Sequence, residues 1–568
     1  MKSLAIFRSV RAVLSAGVLI LLSSAALVAQ PAPPAPVVSA IPGQRTPQQL
    51  PPAGQEGIPL TLDQAIGYAL ANNQDLNVTV NAAEASQFSL FSNYGIYDPL
   101  LQAFGDRVHN EQPGASQLQG AAVLRTDTSD GGAQVGQLTP WGGTFTLGFA
   151  GSRTKTNSQF FDVNPSFTAG LTASVNQPLL RNFGQMATNW LIETARNSRD
   201  SAYQDFVRSV QATVNATEQA YWDLAYAYDN LKVKLEAKAI AVELNRITKI
   251  KIDVGSLAPI DVVQTEVNIA TADQDIINAE GVIGLAQDQL KRQLNFDPTV
   301  WNAAPIIPTD AVRIEEQKFN LEEGMKTALV RRPEIISQLY NVSTGQIRYA
   351  YFRNQVLPQL NLQASYGNNG GPTVLPDGTI LNPGWGGAVD TTFGRDFNNW
   401  KVGLVFSYPI FNRAARGNEG VARYNLETSK AQLTVIEQNI IVDVRNAHRA
   451  IDTAEKQIVA AGKGRELAER NLDAARKKYE NGMTTGFEVS QLQTNLSDAR
   501  SRELNALVIY RKAVAAYHNS IADILDWKGV KIEGMPEMAP PAIEPRGDLI
   551  DAAFQTTPRS SLTPPGKP

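Results

Sequence analysis

Residues able to do chemistry are sparse in this 568-residue chain. It has no cysteine and only three histidines, His109, His448 and His518, far apart in sequence. A zinc or iron site draws on more ligands of these kinds, so transition-metal chemistry has no visible foundation. Carboxylates are plentiful, yet none forms a catalytic signature, and no nucleophile, base and orienting group stand together. The expectation is a protein without active site, metal or cofactor. Two acids stand out by position. Asp261 and Glu488 each lie six residues beyond a glycine, in Val254-Gly255-Ser256-Leu257-Ala258-Pro259-Ile260-Asp261 and Asn481-Gly482-Met483-Thr484-Thr485-Gly486-Phe487-Glu488. Gly255 and Gly482 fit a helix C′ position, where left-handed backbone is favoured. A carboxylate in the first turn of the next helix meets its positive end. Helix capping is the plain reading of both acids.

The elements carrying these turns must be long helices. Apolar or small residues recur at Ile440, Val444, Ala447, Ile451, Ala454, Ile458, Ala461, Ala468, Leu472, Ala475 and Tyr479, in steps of four and three that only Arg465 interrupts. After the turn the rhythm returns at Val489, Leu492, Leu496, Ala499, Ala506, Tyr510, Ala513 and Tyr517. Spacing sustained over this many heptads is a coiled-coil pattern. Alanine at the seam lets helices approach closely but buries little apolar area. Each helix then needs neighbours on more than one side, which favours a ring or tube. The helix before the first turn keeps the register at Phe206, Val210, Thr213, Thr217, Ala220, Leu224, Ala227 and Leu231, then turns polar at Lys234 and Lys238. From about Met186 to Val254 it would extend ~100 Å at ~1.5 Å per residue. The return helix, about Pro259 to Asn295, is near half that length.

The two turns belong to an internal duplication. With Leu62 set against Leu321, Ala69-Leu70 meets Ala328-Leu329 and Pro99 meets Pro358. Further on, Gln177-Pro178-Leu179 meets Tyr408-Pro409-Ile410, and Gly255, Gln264, Asn268 and Ala272 meet Gly482, Gln491, Asn495 and Ala499. Each copy runs helix, strands, long helix, turn, helix. Thr61 is available to cap the first helix, with Gln64 three residues on, and a break is expected near Asn72-Asn73. The matching helix runs from about Leu321 to Arg353. The expected repeats are 58–312 and 313–534.

The strands alternate. Phe167, Ala169, Leu171, Ala173 and Val175 point one way; Leu360, Leu362, Ala364 and Tyr366 repeat this, and Trp400, Val402, Leu404, Phe406 and Tyr408 form another apolar face. A barrel in a membrane and a half-buried soluble sandwich both fit this period. An extra hairpin is expected at about Ala133 to Ser152, turning at Pro140-Trp141-Gly142-Gly143. The Gly-, Asp- and Asn-rich stretches 108–131 and 367–398 read as exposed loops. Residues 1–29 read as a secretory signal, with Lys2, Arg8 and Arg11 ahead of an apolar run; an uncleaved anchor is the competing reading. A proline-rich linker, 30–57, and a proline-rich tail, 535–568, flank the repeats. Past the signal no stretch reaches the ~20 apolar residues of a spanning helix, so any crossing must be a closed barrel. Net charge is −4 without a basic block, which gives nucleic-acid binding little support.

These residues together resemble the outer-membrane efflux protein (TolC-like) family, over roughly Pro59 to Ile524. The markers are Leu60-Thr61-Leu62-Asp63-Gln64-Ala65, the Gln177-Pro178-Leu179-Leu180 strand end and the two glycine-to-acid turns. The resemblance implies an α+β membrane protein: a homotrimer in the outer membrane of a Gram-negative-type bacterium, each chain giving four strands to a shared β-barrel. A long periplasmic α-helical coiled-coil barrel would continue it. It implies the exit duct of a tripartite efflux or type I secretion system, fed by a periplasmic membrane-fusion adaptor and, indirectly, an inner-membrane pump. The hairpin tips Gly255, Ser256, Leu257 and Ala258, with Gly482, Met483 and Thr484, would dock the adaptor. Asp261, Tyr479 and Glu488 would sit at the periplasmic aperture. There a ring of like charge would favour cations. A base common in the family's latch would fall at Thr484 and is missing.

The competing class is a trimeric coiled-coil adhesin or envelope spacer. That class accounts for heptads and a signal sequence, but poorly for strands set between helices twice in the same order.

Overall fold

A computed structural model describes residues 37–40, 57–114, 120–159, 161–296, 301, 305–312, 314, 317–538 and 540–541. The expected signal 1–29 and most of the expected linker 30–57 and tail 535–568 lie outside these residues. In chain order the first half forms β1 (Val37–Ala40), β2 (Ile58–Leu60), α1 (Leu62–Asn72), α2 (Gln74–Tyr94), β3 (Leu100–Pro113), β4 (Val123–Leu138), β5 (Thr144–Thr156), β6 (Ser166–Pro178), α3 (Gln185–Asp253), α4 (Ile260–Gln293) and β7 (Ile306–Pro308). The second forms α5 (Leu321–Arg331), α6 (Pro333–Gln355), β8 (Gln359–Gly370), β9 (Thr373–Val374), β10 (Ile380–Leu381), α7 (Trp385–Gly394), β11 (Phe397–Ser407), α8 (Arg413–Glu480), α9 (Gly486–Ser520), α10 (Ile524–Trp527) and β12 (Val530–Glu533). The long helices are nearly equal, 69 residues in α3 and 68 in α8. Their partners α4 and α9 have 34 and 35. No described helix is long and apolar enough to cross a membrane.

Local chemistry sets the helix ends. Thr61 and Gln64 close a capping box on α1: the Thr61 hydroxyl accepts the Gln64 amide at 3.3 Å, and the Gln64 side chain accepts the Thr61 amide at 3.1 Å. The break at Asn72-Asn73 is real. Asn73 is extended, and its side-chain oxygen accepts the amides of Asp75 at 2.9 Å and Leu76 at 3.2 Å, starting α2. Asn320 caps α5 in the place of Thr61. The single helix expected from Leu321 to Arg353 is two helices. Pro333 opens α6, and proline pushes the residue before it, Arg332, into extended backbone.

The chain folds as two compact units. Of the described residues, one contains those of 86–199 and 342–429, the other those of 37–85, 200–341 and 430–541. The first is organised by one antiparallel sheet in the order β11-β8-β6-β5-β4-β3. The expected hairpin at 133–152 is the junction of β4 and β5 and belongs to this sheet. Six strands therefore stand where the resemblance implies four. The stretch 108–131, expected as a loop, is largely strand, since β3 continues to Pro113 and β4 starts at Val123; 367–398 remains mostly non-strand, holding the ends of β8 and β11, the short β9 and β10, and helix α7. Pairing along a full ladder overrides the weak strand preference of Gly, Asp and Asn. Opposite residues share a face. The register puts Leu147, Ala173, Tyr366 and Trp400 in one row, with Leu362 and Leu404 in another. The other face carries Thr146, Ser174, Ser365 and Lys401.

The second unit is helical. One core gathers Phe206, Val210, Tyr221, Trp222 and Leu224 of α3 with Leu290 of α4, Leu62 and Ile66 of α1, and Leu60 and Ile306 of the parallel pair β2–β7. Another joins Met325 and Leu329 of α5, Ile335 and Leu339 of α6, Val444 and Ile451 of α8, and Tyr510 and Tyr517 of α9. Most seam positions read from the heptads are buried, from Ile440 and Val444 through Leu472 and Tyr479 to Val489 and Tyr517.

Candidate gate and docking tips

The two hairpin turns share one backbone solution. The amide of Ser256 bonds the Lys251 carbonyl at 2.8 Å and that of Gly255 bonds Ile252 at 2.8 Å. In the second copy Met483 bonds Lys478 at 2.9 Å and Gly482 bonds Tyr479 at 3.0 Å. This is the Schellman closure, which needs left-handed backbone at C′. Gly255 has φ 78° and Gly482 φ 72°. Nothing lies within 4 Å of where a Cβ would stand on either, so backbone conformation rather than crowding calls for glycine.

Beyond the glycines the copies diverge. Thr485 caps α9, its hydroxyl accepting the Glu488 amide at 3.3 Å. The Thr484 hydroxyl donates to the Glu488 carboxylate. Thr484 thus engages the acid as a neutral donor. In the first copy Pro259 precedes α4 and offers no side-chain cap. Asp261 is exposed, and among the described residues its carboxylate makes no hydrogen bond or ion pair. Large apolar side chains stand out around both tips: Val254 is 70% exposed, Ile260 69%, Met483 69% and Phe487 60%.

Tyr479 occupies a different setting. It is buried in a small core of Leu244, Leu472, Ala475, Val489 and Leu496, with Ile247 and Leu257 against it. Its hydroxyl lies 2.8 Å from Thr248 Oγ1. Thr248 donates its own proton to the Leu244 carbonyl at 2.8 Å, so Tyr479 is the donor to Thr248. Lys251 Nζ stands 4.1 Å from the Tyr479 ring centroid. It also donates to the Tyr479 carbonyl, and to the Glu480 carbonyl at 3.4 Å. A cation from the first hairpin thereby closes the negative end of α8 in the second. No hydrogen bond or ion pair joins Asp261 to Tyr479 among the described residues. Thr248 and Lys251 were missed in the sequence. The duplication held a signal: it sets Ile252 against Tyr479, and an aromatic in one copy only calls for a partner in the other.

Farther along the hairpins, the interruptions of the heptads are ionic. Arg465 pairs Glu503 at 2.6 Å and Glu469 at 3.1 Å. Arg500 bridges Glu469 at 2.9 Å and Glu236 of α3 at 2.7 Å. Lys234 and Lys238 pair Asp275 and Asp273 of α4 at 3.1 and 2.6 Å. Hydrogen bonding from Arg500, aided by the charge of Arg465, holds the Glu469 carboxyl below its ordinary value.

This architecture has known relatives. The profile of the family described as outer membrane efflux protein matches residues 140–295 and 324–520, more than half of the chain. The chain belongs to that family, one of channel proteins rather than enzymes, and its place is the outer membrane. Outer membrane protein TolC of Escherichia coli (strain K12) is 26% identical over 326 residues, 56% of this chain and 62% of the relative. The protein of that name from Vibrio cholerae is 19% identical over 362 residues, 61% of this chain and 77% of the relative. The chain thus spans 62% of the length of the Escherichia coli relative. The CmeC outer membrane channel of Campylobacter jejuni superposes with a TM-score of 0.60 at 16% identity, covering 82% of this chain and 86% of that one. The open-state MtrE outer membrane channel of Neisseria gonorrhoeae gives 0.56 at 16%, covering 82% and 89%. At such identities these likenesses show the fold.

Proposed function

We propose that three copies of this chain form a passive exit duct for efflux or type I secretion, with a barrel in the outer membrane and the hairpins in the periplasm. One observation carries the reading: the same chain holds an apolar-faced sheet whose two edges are unpaired among the described residues, and two long hairpins ending in exposed apolar tips. Unpaired edges are untenable in lipid. The strands alternate in direction, so β3 at one edge runs antiparallel to β11 at the other. A neighbouring copy is the natural partner for each edge. Three copies would close a barrel of about eighteen strands, an even number as such barrels require and wide enough for an aqueous channel. The repeats 58–312 and 313–534 would supply alternating wall segments, after removal of the signal 1–29.

The tips Gly255, Ser256, Leu257, Ala258, Gly482, Met483 and Thr484 are the adaptor-docking surface in this reading, supported by the exposed Val254, Ile260, Met483 and Phe487 around them. Asp261 is the aperture acid free to act between copies. Glu488 adds charge at the mouth while Thr484 holds it. Tyr479 locks the two hairpins of one chain together. Single-channel conductance of the crosslinked trimer in a planar bilayer tests the reading. A cation-favouring pore is expected, and Asp261→Asn should reduce that preference. Correctly assembled trimers without a pore would leave the envelope-spacer reading standing instead.

A further inference from the structure

The register also sorts the charged residues of the sheet. On the face carrying Leu147, Phe149 and Trp400, the apolar rows stop before the strand ends remote from the helices. The next row is Arg107, Ser129, Arg153 and Phe167, and beyond it come His109, Asp127 and Lys155. Arg125 follows, opposite Glu111. The acids are already engaged: Asp127 by His109 at 2.8 Å and Glu111 by Arg125 at 2.9 Å. Arg107 and Lys155 make no hydrogen bond or ion pair among the described residues. The cations are one-sided, since the neighbouring rows of the opposite face hold Asp106 and Asp130.

Helix α7 lies on this same face, at the same level. Side chains at Gly151 and Gly370 would strike the Trp385 ring and the Ala388 carbonyl, so the two glycines hollow a seat for it. Ala388, Thr391 and Thr392 are buried. Trp385 packs on Phe167 at 5.3 Å between centroids, and Phe393 stacks on Phe149 at 6.2 Å. Arg153 stands 6.0 Å over Phe167. Yet Trp385 is 42% and Phe393 61% exposed. An aromatic shelf on the apolar face, edged by cations, is the order of groups met on passing from acyl chains to headgroups.

We propose that Arg107, Arg153 and Lys155, with the α7 shelf below them, bind phosphate-bearing lipid headgroups of the leaflet remote from the helices. The proposal rests on the outer-membrane reading above. Cations near a lipid surface act nearly independently, so loss of three should be large. Nanodiscs holding the full chain would be titrated with lipid A and with its dephosphorylated form. The variant R107Q/R153Q/K155Q should weaken lipid A binding at least about tenfold, and wild type should show a similar gap between the two lipids. Lys401→Gln, the same change on the other face, should leave binding unaltered, and R107K/R153K should retain most of it. Equal binding of lipid A by wild type and the triple variant, or of both lipids by wild type, overturns the proposal. The cysteine-free chain also permits a spin label at Gly386→Cys on α7. Accessibility to lipid-soluble oxygen is expected; accessibility only to a water-soluble relaxer overturns the interfacial seat. Conductance of the same samples separates the two readings, because a working pore with indifferent lipid binding sinks this proposal alone.

Discussion

The two hairpin tips leave their first helix identically and start the next one differently. Both close a Schellman turn on glycine with φ near 75°, because any long helix that must reverse has few ways to satisfy its last carbonyls. After that the copies divide the work. The second tip binds its acid to itself through Thr484 and Thr485; the first leaves Asp261 exposed. In the helices just above, the first copy supplies Thr248 and Lys251 and the second the tyrosine they hold. Duplication therefore preserved what backbone geometry demands and released the side chains. One copy became the lock's socket and the other its key.

Breaking that lock should give the largest effect. Tyr479→Ala removes a buried ring, the hydroxyl that donates to Thr248 and the aromatic face under Lys251. Large aromatic-to-alanine losses run about 3–5 kcal/mol, enough to open the tips locally without unfolding the chain. Hydrogen exchange should accelerate across 240–260 and 470–495 and stay unchanged in the sheet. Tyr479→Phe keeps the ring and loses only the hydroxyl, for about 0.5–1.5 kcal/mol. If both variants exchange alike, the hydroxyl rather than the packed ring holds the copies together, and the comparison must be redrawn around Thr248.

The glycines test the shared part. Alanine at Gly255 or Gly482 meets open space, so its cost is left-handed backbone alone, about 1–2 kcal/mol at each position. The two losses should match within error, measured as local exchange at each tip. Unequal losses would mean that the turns are less alike than their hydrogen bonds. If the tips dock an adaptor, bulky residues at either position should also abolish export while trimers persist.

Much of this was legible because it repeats. Heptads ending at Tyr479 and resuming at Val489, alternation in Phe167 to Val175, and Thr61 with Gln64 all follow from local periods or caps. What escaped notice depends on partners distant in sequence. The grip of Thr248 and Lys251 on Tyr479 joins positions 228 to 231 residues apart and leaves no period. The Gly-rich ends of β3 and β4 become strands only because each pairs the other from Leu100 to Pro113. Helix α7 is short, and its seat is made by the glycines of other strands. The break at Pro333 was the exception, a local signal passed over in favour of a longer helix.

The smallest effect concerns the polar breaks, where the copies again differ. Lys238 pairs within the first hairpin and Lys234 chiefly does, reaching Asp498 of the second only at 3.9 Å, whereas Arg500 of the second hairpin bonds Glu236 of the first at 2.7 Å. Glu469 titrates below its ordinary value of 4.5 because Arg500 and Arg465 favour its charged form. A carboxyl depressed in the folded state contributes stability that is present above the unfolded value. That contribution fades as pH falls through the lower folded value. These groups are partly exposed, with side chains 29–37% accessible, so screening limits the network to about 1 kcal/mol at most. Protection in the middle of α8 and α9, taken as measured exchange relative to the intrinsic rate at each pH, should therefore fall below pH 4.5 in the native chain. Glu469→Gln should flatten that dependence while raising exchange slightly at neutral pH. A pH response that survives in Glu469→Gln would place its origin outside Glu469. The link between copies would then rest on Arg500 and Glu236 rather than on the whole network.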